Sequence, residues 1–210
     1  MQTKTLVRQN ILSRLKRLKG LTGFEQQNLS LNQRMQSELR SRRGVWAAFM
    51  PLSMEPNLSE TYQKFAEQIQ FAFPRVVAGE LQFFLGARDA EFQRGLHGIM
   101  EPSQQGSLRI APSDLTGVIV PGVAFDTQGA RLGRGKGFYD RFLKKCSAEK
   151  IGVCFQAQLL NEKLKTQTHD ERIDRLVTEN FCLNFSQVKN IAKNLSQSFD
   201  LSGFSERNFI

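Results

Sequence analysis

Between Lys4 and Lys19 the apolar residues Val7, Ile11, Leu15 and Leu18 recur at steps of four, four and three. That period lays a single stripe along one face of a helix. Gly20 stands where such a helix should end, and Lys4 and Arg8, four residues apart, share one of its faces. A second helix is predicted over residues 31–42, with Ser30 as its cap. The pattern then changes to VWAAFM, residues 45–50, an unbroken apolar run closed by Pro51. It reads as a buried strand whose C-terminal end can carry functional side chains. Residues 59–72 are predicted helical, LQFFLG (81–86) extended, and residues 101–114 a loop. GVIVPG (117–122) is a strong buried strand stopped by Pro121, residues 138–146 resume helical spacing, and KIGVCF (150–155) is again a strand. This alternation predicts an α/β fold, a single domain over residues 1–185 with a mostly parallel central sheet flanked by helices on both faces. Residues 186–210 are rich in Ser and Asn with scattered aromatics, and are predicted to form a loosely packed tail.

A chain of 210 residues with 40% hydrophobic content supports one good core. No run approaches the roughly 18 consecutive apolar residues of a membrane span, and the start lacks the apolar core of a secretory signal. The expectation is a soluble, cytoplasmic protein with no membrane partner. Cys146, Cys154 and Cys182 are an odd, widely spaced set, which indicates neither a disulfide framework nor a zinc site. The net charge of +9 is unevenly placed: residues 1–44 hold ten Lys/Arg against Glu25 and Glu38, a local balance of +8. An acid-poor, Arg-rich start also fits a mitochondrial transit peptide, but the helical stripe argues for a structural role. A second basic cluster lies at residues 131–150.

Within that second cluster, RLGRGKGFYDR (131–141) packs three glycines, two arginines and a lysine into seven positions. Glycines let backbone N–H groups approach an anion, Arg and Lys add full charges, and a following helix adds its positive dipole end. Known phosphate motifs do not account for the loop. Walker A spacing fails because Lys136 is followed by Gly137 and position 130 is Ala; the dinucleotide pattern fails because Phe138 stands where its third glycine belongs. By spacing alone, a polyphosphate cradle and a flexible basic surface loop both remain open.

The longer stretch VPGVAFDTQGARLGRGKGFYDRFL, residues 120–143, resembles the signature of the 5-formyltetrahydrofolate cyclo-ligase family. Other stretches follow in that family's order: Lys4 and Arg8, the strand ending in Met50 with Glu55 after it, FPRV (73–76), GIMEP (98–102), IGVCFQAQ (151–158) and HDERIDRLVTE (169–179). The resemblance implies an ATP- and Mg²⁺-dependent enzyme that converts 5-formyltetrahydrofolate, with or without a polyglutamate tail, to 5,10-methenyltetrahydrofolate, releasing ADP and phosphate. By similarity, ATP would be held by Lys4, Arg8, Arg131, Leu132, Gly133, Arg134, Gly135, Lys136, Gly137, Phe138 and Tyr139. The folate would be held by Met50, Glu55 and residues Arg134, Gly135, Lys136, Gly137 and Phe138. Asp140 and Asp170 match the family's magnesium positions, and Arg131, Arg134 and Lys136 would neutralise charge in the transition state. One departure is visible, since the family usually has Tyr where this chain has Phe138. His97 and His169 lack the partners of a triad or metal cluster and read as structural. A monomer without a nucleic-acid partner is expected. The rival readings are a basic nucleic-acid-binding protein, which lacks a recognisable module, and a sugar-phosphate isomerase or sensor, which leaves Lys4 and Arg8 unexplained.

Overall fold

The structure, a computed structural model, describes residues 3–85, 92–95, 100–102, 107–167 and 170–185. The predicted tail, His97 and His169 lie outside the described residues.

Helix α1 (Lys4–Lys19) forms with the predicted bounds. The Thr3 hydroxyl accepts the Leu6 N–H, Gly20 closes the helix, and the stripe buries Ile11 and Leu15. Helix α2 (Phe24–Leu39) begins earlier than the predicted 31–42, and Ser30 lies inside it. Its start is set by Gly23 at φ 108° and by Phe24, whose ring packs 5.1 Å from that of Phe155. Strand β1 (Gly44–Ala47) follows, and helix α3 (Ser59–Lys64) is a short stub of the helix predicted over 59–72. The remainder of that segment becomes β2 (Ile69–Val77), because IQFAFPRVV is β-branched and aromatic and pairs in parallel with β1, Ala47 opposite Ala72.

A tight turn at Ala78 and Gly79 leads into β3 (Glu80–Leu85), antiparallel to β2. Strands β4 (Phe92–Arg94), β5 (Met100–Pro102) and β6 (Leu108–Ile110) come next, so the segment predicted to be a loop carries two short strands. They are followed by β7 (Gly117–Val120), β8 (Ala124–Asp126), β9 (Arg131–Leu132), α4 (Phe138–Leu143), β10 (Glu149–Val153), β11 (Leu159–Leu160), β12 (Arg175–Val177) and β13 (Cys182–Asn184).

The main sheet runs β13-β12-β10-β7-β1-β2-β3-β6, with its centre parallel and β13, β3 and β6 antiparallel at the margins. Alternate residues of each central strand enter opposite cores. Trp46, Ile119 and Ile151 join Ile11, Leu31 and Met35 beneath α1 and α2, while Ala47, Val118 and Val120 join Phe142 and Leu143 of α4 on the other face. The α/β architecture with helices on both faces is therefore observed. No helix among the described residues is long and apolar enough to cross a membrane.

Candidate active site

Parallel strands of an open sheet leave a crevice beyond their carboxyl ends. Here Phe49 and Met50 follow β1, and Pro121, Gly122 and Val123 follow β7, all of them lining one cavity of about 540 Å³. The β2–β3 hairpin closes one side with Pro74, Val76 and Leu81, and the glycine-rich loop closes the other. Every residue expected from sequence to bind nucleotide, folate or metal lines this cavity: Lys4 and Arg8 of α1, Met50, Glu55, the continuous run 131–140, and Asp170. The two basic clusters, separate in sequence, meet at one place.

The loop's shape depends on Gly135 at φ 102° and Gly137 at φ 67°, conformations that side-chain-bearing residues adopt at a cost. Arg8 lies against it, its Nε donating to the Gly133 carbonyl at 2.8 Å. Its helix is stitched to neighbouring loops by Arg14, which donates to the Ala157 carbonyl at 3.0 Å, and by Lys19, which donates to that of Ser53 at 2.8 Å. Because α4 is only six residues long, side-chain charge rather than a helix dipole dominates the positive potential of the loop.

Each carboxylate of the predicted set is paired with a base of the predicted set. Asp170 meets Lys4 at 2.8 Å, Asp140 meets Arg131 at 2.8 Å, and Glu55 meets Arg134 at 3.3 Å. The other Glu55 oxygen accepts the Leu52 N–H at 3.0 Å. Arg131 is the most enclosed base of these three pairs, its side chain 4% exposed. It also reaches the Pro121 carbonyl at 3.4 Å and sits over the Tyr139 ring at 5.4 Å, and its buried Nε has no hydrogen-bond partner among the described residues. A Cβ at Gly133 would stand 2.9 Å from an Arg131 nitrogen, so only glycine leaves that guanidinium where it is. Among the described residues the exposed Lys136 ammonium has neither an ion pair nor a hydrogen bond. Burial pushes the Tyr139 hydroxyl well above its ordinary range, with Glu55 adding to the effect and Arg131 opposing it, so this hydroxyl stays neutral.

Asp140 and Asp170 offer hard oxygen donors on a cavity wall that also holds the bases suited to phosphate. That donor set fits Mg²⁺, which takes one or two carboxylates and completes its shell with phosphate oxygens and water. No cluster of three or more His, Cys, Asp or Glu residues suited to a metal occurs among the described residues.

Sequence reasoning missed two charged lining residues, Arg75 and Glu101, each 7% exposed. Arg75 stacks on Phe84 at 4.3 Å and donates to the Pro102 carbonyl, tying β2 to β5. The available signal was a charge interrupting the apolar run IQFAFPRVV, since a buried strand seldom spends a position on arginine without a polar task.

Comparison with known proteins extends the match. The sequence profile of the 5-formyltetrahydrofolate cyclo-ligase family matches residues 1–179. A probable 5-formyltetrahydrofolate cyclo-ligase of Schizosaccharomyces pombe is 36% identical over 94 residues, 39% of this chain and 46% of that protein. The chain thus spans less than half the length of this curated relative. The solution structure of Aquifex aeolicus 5,10-methenyltetrahydrofolate synthetase superposes with a TM-score of 0.72 at 30% identity, covering 88% of this chain and 93% of that one. A Mycoplasma pneumoniae 5,10-methenyltetrahydrofolate synthetase, 21% identical with a TM-score of 0.68 over 85% of this chain and 99% of its own, shares the fold. With its profile matched across most of its length and its signature loop built into the wall of the sheet's crevice, the chain belongs to the 5-formyltetrahydrofolate cyclo-ligase family.

Proposed function

We propose that the protein converts 5-formyltetrahydrofolate to 5,10-methenyltetrahydrofolate with ATP as co-substrate, releasing ADP and phosphate. The observation that carries this reading is the cavity's division of labour. Five bases, Lys4, Arg8, Arg131, Arg134 and Lys136, converge along one wall, and Met50, Pro74, Val76 and Leu81 offer an apolar surface to a flat ring. In this reading Lys4, Arg8 and residues 131–139 bind the nucleotide, Met50 and Glu55 bind the folate, and residues 134–138 face both.

An N5-formyl group is an amide, so its oxygen is a poor leaving group until it is phosphorylated. The formyl oxygen attacks the γ-phosphorus of ATP and ADP departs. N10 then attacks the activated carbon, and phosphate leaves as the ring closes. Such a transfer asks for in-line positioning and charge stabilisation rather than a protein nucleophile. Arg131, Arg134 and Lys136 answer the growing negative charge, and Lys136, unengaged, is the base freest to follow the moving phosphoryl group. Asp140 and Asp170 would hold Mg²⁺, which when bound supplies further neutralisation of the phosphate charge. Glu55, with two oxygens facing donors, suits the N–H edge of a pterin once Arg134 turns to phosphate.

The rival nucleic-acid reading rests on the net charge of +9 alone. In the N-terminal segment Arg14, Lys19, Arg34 and Arg43 donate to backbone carbonyls and Arg42 pairs with Glu149 at 2.8 Å, which gives these bases structural tasks. The test is to mix 5-formyltetrahydrofolate, ATP and Mg²⁺ with the protein and follow the absorbance band of the methenyl product. Product that requires all three supports the reading, and salt-sensitive binding to nucleic acid without product contradicts it.

A further inference from the structure

The glycine-rich loop has little intrinsic stiffness, since Gly135 and Gly137 both sit at positive φ. Its precision must come from outside. Among the described residues, two side chains donate hydrogen bonds to its backbone carbonyls. At its front Arg8 holds the Gly133 carbonyl at 2.8 Å. At its back Arg141, in the last turn of α4, donates from Nη1 to the Lys136 carbonyl at 3.0 Å.

The other end of the Arg141 fork does something that Arg8 does not. Its Nη2 reaches the carbonyl of Gly79 at 3.3 Å, at the tip of the β2–β3 hairpin. Residues just inside that tip, Val76 and Leu81, line the cavity across from the loop. One guanidinium therefore spans both walls. The Phe138 ring supports it, with the cation 5.3 Å from the ring centroid. The planar fork of arginine can bridge two carbonyls in fixed directions, whereas a lysine ammonium on its flexible stem is a point charge. A tyrosine at position 138 would keep the same ring for Arg141 to stack on, so the departure from the family's usual residue leaves this support intact.

We propose that Arg141 is a positioning residue. By joining the Lys136 carbonyl to the hairpin tip, it sets the separation of the loop wall from the folate-facing wall and so the alignment of Lys136 with the transferring phosphoryl group. This rests on the cavity being the ATP and folate site. Lys145, in the turn that follows α4, supplies the control: it ties that end of the helix to the same hairpin through Glu80 at 3.0 Å, with both side chains 57% exposed, but among the described residues makes no bond to the loop.

The experiment compares wild type with Arg141→Lys, Arg141→Met and Lys145→Met, measuring kcat and KM for ATP together with backbone hydrogen exchange over residues 134–138 in the free protein. Misplacement of a catalytic group by about an ångström costs up to about a hundredfold. Both Arg141 variants are expected to lose about tenfold to a hundredfold in kcat, with KM for ATP changed by less than about threefold, the signature of a transition-state effect. They are also expected to exchange the loop amides about tenfold faster. Lys145→Met should match wild type in both readouts. Wild-type kcat and exchange in Arg141→Lys would overturn the proposal, as would equal losses in the Arg141 and Lys145 variants, which would mean that helix docking alone matters. If wild type makes no methenyl product, the proposed function fails. The exchange comparison still decides Arg141, because unchanged loop exchange removes the clamp and faster exchange confined to the Arg141 variants retains it.

Discussion

The three ion pairs of the cavity set the energetics of its residues. Lys4–Asp170 and Arg134–Glu55 are partly exposed, with side chains 31% and 11%, and 45% and 10% accessible. Pairs of this kind are worth about 0–1 kcal/mol, so a polyphosphate can take over the bases at little cost. Arg131–Asp140 differs, because its guanidinium is almost fully enclosed. Asp140→Ala would strand a buried charge, at a cost of about 3–5 kcal/mol. The informative substitution is therefore Asp140→Asn, which keeps an oxygen for Arg131 while removing the anionic charge proposed to bind Mg²⁺. Asp140→Asn and Lys136→Ala are each expected to lower kcat by at least about a hundredfold with a folded circular dichroism spectrum retained. Wild-type rates in either variant would reject the role assigned to that residue.

Cysteine supplies an independent check of burial. Burial pushes Cys154 well above its ordinary value and Cys182 up to about 11, the latter with Glu38 adding to the shift, and it raises Cys146 as well. Iodoacetamide at pH 8 should label each thiol at least about tenfold more slowly than an unfolded peptide does, and rapid labelling of Cys154 would contradict the packing. The same shifts fix the sign of an alkaline effect: above about pH 9 unfolded thiols release protons that the folded ones keep, so stability falls as pH rises.

The elements differ in how legible they were. Helix α1 was readable to the residue, because a stripe facing one core and a closing glycine are both local signals. The start of α2 was not, since Gly23 and the Phe24–Phe155 contact place it through a partner 131 positions away. Tyr62, Phe65, Ile69 and Ala72 have helical spacing and all are buried, yet they reach the core as a short helix, a turn and a strand. Periodicity marked the buried positions there, and pairing with β1 chose the backbone. The glycine-rich loop could be read because its chemistry is contiguous. Arg75 showed only as a charge inside an apolar run and Glu101 not at all, because packing of the separate β4–β5 pair against β2, and not sequence proximity, brings both to the cavity. Packing between β1 and β7 gives a further test, since a Cβ at Gly117 would stand 2.4 Å from the buried Trp46 ring. Gly117→Ala is expected to cost about 1–3 kcal/mol and lower Tm by about 3–10 °C in a thermal melt. An unchanged Tm would show that the two strands are less tightly apposed than described.

At the scale of the whole molecule, the charge of +9 and the fold serve one end. The sheet's parallel centre places the ends of β1 and β7 at the crevice, α1 delivers Lys4 and Arg8 to it, and the loop before α4 supplies the remaining bases. Of the bases away from the cavity, Arg14 and Arg34 donate to backbone carbonyls, and Arg42 and Arg175 pair with Glu149 and Glu38. The most direct test of this account is the absorbance of 5,10-methenyltetrahydrofolate during incubation of the protein with 5-formyltetrahydrofolate and Mg-ATP. Steady product formation, abolished by omitting ATP and lost in Lys136→Ala, is the predicted result. An absence of product with folded wild-type protein, or product that forms without ATP, would contradict it.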